Sequence, residues 1–174
     1  MNWIGDLKKE GLIKMKIDLL TIEEVKKLPQ EISQCKAHEY FDGYINEENR
    51  NCIWWLRSPG YRDITAAFVS SYGSVYRSGN YVNHKFYAVR PVLRIEEESL
   101  IKTLPRTKKG YVIYLNTKWN DISEYVGSPC LLKKKCLRNA SCFDLESNDY
   151  FKSHIKRLIE YWFCYKREQE ELKK

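Results

Sequence analysis

Six cysteines without one CxxC pair, three histidines far apart and eight dispersed glycines leave this 174-residue chain short of the usual materials of catalysis. Without CxxC spacing, Cys35, Cys52, Cys130, Cys136, Cys142 and Cys164 do not read as a zinc site. His38, His84 and His154 stand in neither an HExxH nor a triad signature, and no GxSxG elbow occurs. The glycines form no Walker or dinucleotide loop. No apolar run reaches membrane length, and "MNWIGDLKKEGLIKMK" has no stretch suited to a signal peptide. The expectation is therefore a non-enzyme without cofactor or metal, cytoplasmic, with reduced thiols; virion association is the alternative.

What the chain does contain is aromatic surface. Hydrophobic residues make up 43% and aromatic ones 14%, and thirteen are Tyr, more than a core of this size needs. Tyr has an apolar body and a polar tip, so a surplus belongs at interfaces. The net charge of +7 is mild, and its acids and bases are interleaved. Lys133, Lys134, Lys135 and Arg138 form the densest basic run, a candidate nucleic-acid contact, followed by the Lys- and Glu-rich stretch from Lys152 to Lys174.

One domain, 1–174, is expected, of α+β class. Residues 3–14 carry a weak helical pattern and "KIDLL" reads as a strand. Thr21 with Glu24 forms a capping box that starts a helix ending before Pro29. "CIWWLRS" is a strand stopped by Pro59-Gly60, "TAAFVSS" and "SVYRS" flank a hairpin at Tyr72-Gly73, and Gly79-Asn80 allows a second turn. "FYAVRPVLRI" closes this meander, with Pro91 marking an edge or a bulge. Residues 96–109 read as a linker, "YVIYL" and "CLLKKKCL" as strands, and "WNDISEYVGSP" as turns. From Ser147 or Asn148 as N-cap, Phe151, Ile155, Leu158, Ile159 and Trp162 make an amphipathic helix, with 166–174 as its solvated tail. His154 is expected half-buried on that helix, and His84 as a contact or structural residue.

"WWLRSPG", then "AAFVSSYGSV", then "YVNHKFYAVRPVLRI", resembles the signature of a lectin-like domain family of Gram-positive bacteria and their phages. The resemblance implies a C-type-lectin-like fold, shared with formylglycine-generating enzymes. "VIYLNTKW" and "CFDLESNDYFKSHIKRLIEYWF" look like the first half of that pattern placed after the second. The implied arrangement is a circular permutation: 1–95 as the family's C-terminal half, 96–109 as the new connection, 110–165 as its N-terminal half. The copper-binding Cys pair of the formylglycine-generating enzymes is not matched, because Cys52 has no neighbouring Cys in the sequence. Trp119-Asn120-Asp121 lacks the EPN or QPD loop of calcium-dependent lectins, so no calcium is assigned.

On this pattern Trp54 and Trp55 point to opposite faces of a strand and anchor a core, and Arg57 and Arg90 tie loop bases together. The segment between is free to touch a ligand with Tyr61, Arg62, Asp63, Tyr72, Tyr76, Arg77, Asn80, Tyr81, Asn83, His84 and Lys85. The leading reading is a non-catalytic binding module, encoded by a phage or mobile element, with a macromolecular partner, protein before glycan. Two others stand beside it: an anti-CRISPR-like inhibitor of a host defence nuclease acting by protein–protein binding, and a nucleic-acid binder.

Overall fold

The computed structural model describes residues 14–173; the helix expected over 3–14 lies outside the described residues. The protein is mixed α+β, mostly antiparallel strands with a few short helices and one long C-terminal helix. Five strands, β1 (Met15–Asp18), β7 (Val92–Ile95), β10 (Cys130–Lys133), β9 (Thr117–Asp121) and β8 (Val112–Tyr114), lie side by side in that order, all antiparallel. The segment up to Ile95 supplies β1 and β7 and the segment after it the other three, so one sheet joins both.

Period-two alternation divides this sheet's side chains between two apolar layers. Ile17, Leu93, Ile95, Val112, Trp119 and Leu131 enter one, which Ile155, Ile159 and Phe163 of α5 (His154–Glu171) close. Val92, Cys130 and Leu132 enter the other, with Ile22, Val25 and Leu28 from α1 (Ile22–Val25) and the turn after it. The Thr21–Glu24 capping box is present. Short helices α2 (Gln30–Ser33), α3 (Glu98–Thr103) and α4 (Ser123–Val126) fill connections; α3 lies inside the expected linker and buries Ile101.

A second sheet, β4 (Trp54–Pro59), β5 (Thr65–Val69) and β6 (Val75–Tyr81), is a meander. Both tryptophans of β4 are fully buried, Trp55 in the layer beneath α5 and Trp54 in the other. A two-stranded ladder of β2 (Cys35–Lys36) and β3 (Asn51–Cys52) stands beside it.

Several expectations are corrected. Gly79-Asn80 is not a turn: β6 runs through both, and Gly79 (φ +78°) sits in a bulge where the register against β5 slips between Ala66 and Phe68. An added Cβ at Gly79 would lie 2.4 Å from the Ala66 carbonyl oxygen. Pro91 precedes β7, and that strand is interior, between β1 and β10; the Pro91 carbonyl accepts from the Lys133 amide at 3.0 Å. Trp119-Asn120-Asp121 belongs to β9, not to a turn. The long helix starts at His154 with Ser153 as N-cap, after a 3-10 turn at Tyr150–Lys152, so Phe151 lies off the buried stripe and is exposed. His154 is exposed as well.

Candidate binding face

Two arginines fix the support. Arg90 is buried, and its guanidinium donates to the carbonyls of Lys133 (2.8 Å) and Ile32 (2.7 Å), with longer bonds at 3.5 Å to those of Ser33 and Lys134. It lies 5.0 Å from the Trp54 ring, whose indole N–H donates to the Ser33 carbonyl at 3.0 Å. A planar, five-donor cation is suited to several carbonyls at once. Arg57 donates to the buried Asp18 carboxylate at 3.1 Å, where Lys16 and Arg94 also converge, and Arg94 grips Glu24 at 2.6 Å. The two arginines bond within the protein in separate networks. Burial pushes the Asp18 carboxyl up, but the neighbouring Tyr150 hydroxyl, Arg57, Lys16 and Arg94 outweigh it and leave Asp18 below the ordinary range.

The expected contact residues divide among five places. Tyr76 and Asn80 stand on the same face of β6 as Phe68 and Ala66 on β5. Tyr76 stacks on Phe68 with centroids 4.9 Å apart and planes 6° from parallel. Phe68 meets Tyr87 at 5.0 Å, Asn80 donates to the Tyr87 hydroxyl at 3.0 Å, and His84 packs edgewise on Tyr87 at 4.4 Å and on Phe86 at 5.7 Å. Tyr76, Asn80 and His84 are thereby joined into one aromatic face. Tyr87 in turn rests on Trp55 at 4.9 Å, and the Trp55 indole N–H donates to the Ser141 carbonyl at 2.8 Å. The face is backed by the core on both sides of the chain.

Arg77 turns to the opposite side and pairs with Glu23 at 2.8 Å. Tyr72, at the hairpin tip, donates its hydroxyl to Glu48 at 2.6 Å. Tyr61, Arg62 and Asp63 are exposed at the β4–β5 turn, where Asn148 binds the backbone of Arg62, Asp63 and Thr65. Tyr81, Asn83 and Lys85 are exposed at and after the end of β6.

Phe68, Tyr87, Phe86 and Tyr44 were missed by the sequence reading and complete the face. Tyr44 comes from the loop before β3, and its amide donates to the Phe86 carbonyl at 2.9 Å. A Cβ at Gly43 would fall 2.6 Å from that same carbonyl oxygen, so only glycine lets the two loops approach so closely. Tyr44, Ile53, His84, Phe86, Tyr87 and Asp42 line an open depression of about 570 Å³. Burial holds His84 below its ordinary value, so the ring is uncharged at neutral pH. The Asp42 carboxyl is held low by bonds from Asn139 (2.8 Å) and the Ala140 amide (2.6 Å).

The basic run changes meaning. Lys133 is buried, with its ammonium bonded to the Lys135 and Cys136 carbonyls, and burial lowers its pKa to about 8. It is removed from any nucleic-acid contact. Lys134 lies 3.7 Å over the Tyr111 ring, while Lys135 and Arg138 remain exposed.

Cys52 does gain neighbours that its sequence position hides: Cys35 lies opposite it across the β2–β3 ladder, and its thiol donates to the Cys35 carbonyl at 3.2 Å. The Cys136 sulfur accepts from the His38 amide at 3.5 Å. All three are buried. Among the described residues no group of three or more His, Cys, Asp or Glu is arranged to hold a metal ion.

Residues 3–97 match the model of a family described as a domain of unknown function, DUF6273. This chain belongs to that DUF6273 family. The match spans the whole aromatic face and both arginines, and stops before β10, whose Lys133 and Lys134 carbonyls complete the Arg90 site. No curated protein and no solved structure matches the chain.

Proposed function

We propose that this DUF6273 protein is a non-catalytic, lectin-like binding module, encoded by a phage or mobile element, that grips a macromolecular partner through the Tyr76–Phe68–Tyr87–His84–Phe86 face. A protein is favoured over a glycan. The observation that carries the reading is the contrast within the second sheet. A fully buried tryptophan locks it on each side, Trp54 on one and Trp55 on the other, while Tyr76, on the Trp55 side, and Tyr44 and Phe86 from the adjoining loops stay about half exposed, at 49%, 48% and 58%. Exposed large aromatics on a rigid support are costly to keep in water and valuable at interfaces, where they bring contact area with little rotamer entropy to lose. The β1–β7–β10 adjacency supports the permuted lectin-like arrangement, since strands from the two halves lie together whichever half comes first in the chain.

The test compares wild type with Tyr76→Ala and Phe86→Ala, and with Tyr125→Ala, an exposed Tyr on α4, as control. Immobilised proteins are exposed to host lysate and to glycan arrays, and captured species are identified. The reading expects one species retained by wild type and the control and lost from both face variants. Retention of bulk nucleic acid that salt disrupts equally in all four proteins would replace it with the nucleic-acid reading.

A further inference from the structure

The depression at the end of the aromatic face has a charge and a shape that name a ligand chemistry. Residues 39–49, which supply one wall, carry Glu39, Asp42, Glu47 and Glu48 and no Lys or Arg, in a chain of net charge +7. The opposite wall, 82–88, adds Lys85 and the uncharged His84, and Arg138 acts on Asp42 from a third side, so the acids outnumber the cations around the depression. The aromatic depression continues through Gly43 and Tyr44 into a second one lined by Glu47 and Glu48. Within it the rings stand steeply to one another: His84 makes 75° with Phe86 and 61° with Tyr87. A flat platform would suit a sugar ring or a guanidinium plane; the edgewise packing of His84 on Phe86 and Tyr87 leaves no such platform, which favours a compact head.

We propose that this depression seats the ammonium head of a lysine side chain, methylated or not, presented by a partner polypeptide. The half-exposed rings of Tyr44 and Phe86 offer the negative faces of their π systems, the buried Tyr87 backs them, and Asp42, with Glu47 from the adjoining depression, supplies the formal counter-charge. Uncharged His84 closes the site without repelling a cation. Asp42 keeps its position because Asn139 and the Ala140 amide hold both of its oxygens, and Tyr44 keeps its own because its amide is tied to Phe86. The inference rests on the binding-face reading and adds the class of side chain recognised.

The experiment is an NMR titration of the full chain with four small probes: Nα-acetyl-lysine amide, its Nε-trimethylated form, Nα-acetyl-arginine amide, and the neutral Nα-acetyl-norleucine amide of similar length. Saturable shifts at the Tyr44 and Phe86 amides are expected with the two lysine probes, and affinity lower by about tenfold with norleucine. Phe86→Ala and Tyr44→Ala should abolish the shifts, and Tyr44→Phe, which keeps the ring, should retain them. Equal binding of norleucine and lysine, stronger binding of arginine, or no saturable shift with any probe would overturn the proposal. In those cases a partner still lost on Phe86→Ala leaves the binding-face reading standing, whereas a partner retained by that variant removes both.

Discussion

At the scale of single residues, Arg90 has the most to lose. Its guanidinium joins carbonyls at 32–33 and 133–134, which belong to different halves of the chain. Arg90→Lys keeps the charge but cannot span both, so urea unfolding should show a loss of about 3 kcal/mol. Asp18 and Glu24 set the acid limit. Both lie below their ordinary values of 3.8 and 4.5, with burial opposing the shift and their arginine partners among the groups that overcome it. Their contribution is complete above those values and disappears as pH falls through the lower folded-state values. Unfolding followed from pH 5 downward should therefore show an acid loss of stability that Asp18→Asn makes shallower. The thiols give a third check: native alkylation should modify Cys142 and Cys164, which are partly exposed, and spare Cys35, Cys52, Cys130 and Cys136 until the chain is unfolded.

At the scale of elements, local chemistry was readable wherever it decides the structure alone. Thr21 and Glu24 announced their capping box, Tyr72-Gly73 its hairpin, and Ile155 and Ile159 the buried stripe of α5. Residues whose role depends on a distant partner were not readable. Gly79 has the composition of a turn, but Ala66 across the ladder makes it a bulge. Gly79→Ala should accordingly cost about 2 kcal/mol or more in thermal or urea unfolding, because a positive φ and a carbonyl contact both oppose the methyl. Lys133 sits in a run of bases that looks solvated, and only the position of β10 inside the sheet reveals that it is buried. The aromatic face was half visible for the same reason: Tyr76, Asn80 and His84 stand out by composition, whereas Phe68 and Tyr87 look like ordinary strand residues until the hairpins bring their rings together.

At the scale of the whole molecule, the interior is common property. β7 has β1 on one side and β10 on the other, and the Trp55 indole is held by Ser141. Residues 1–97 alone would bare one edge of β7 and the apolar face of Leu93 and Ile95, which α5 helps to close. That fragment should lack a cooperative unfolding transition by itself and regain one when mixed with residues 98–174. The recognition surface we propose depends on this shared support, because a ring can serve binding without serving stability only if other residues hold the sheet. The most direct measurement pairs the two quantities on one variant, Phe86→Ser: retention of the identified partner and the urea midpoint of unfolding. The account predicts that retention is lost while the midpoint stays within the error of wild type. Retention unchanged, or a midpoint that falls together with binding, would contradict it.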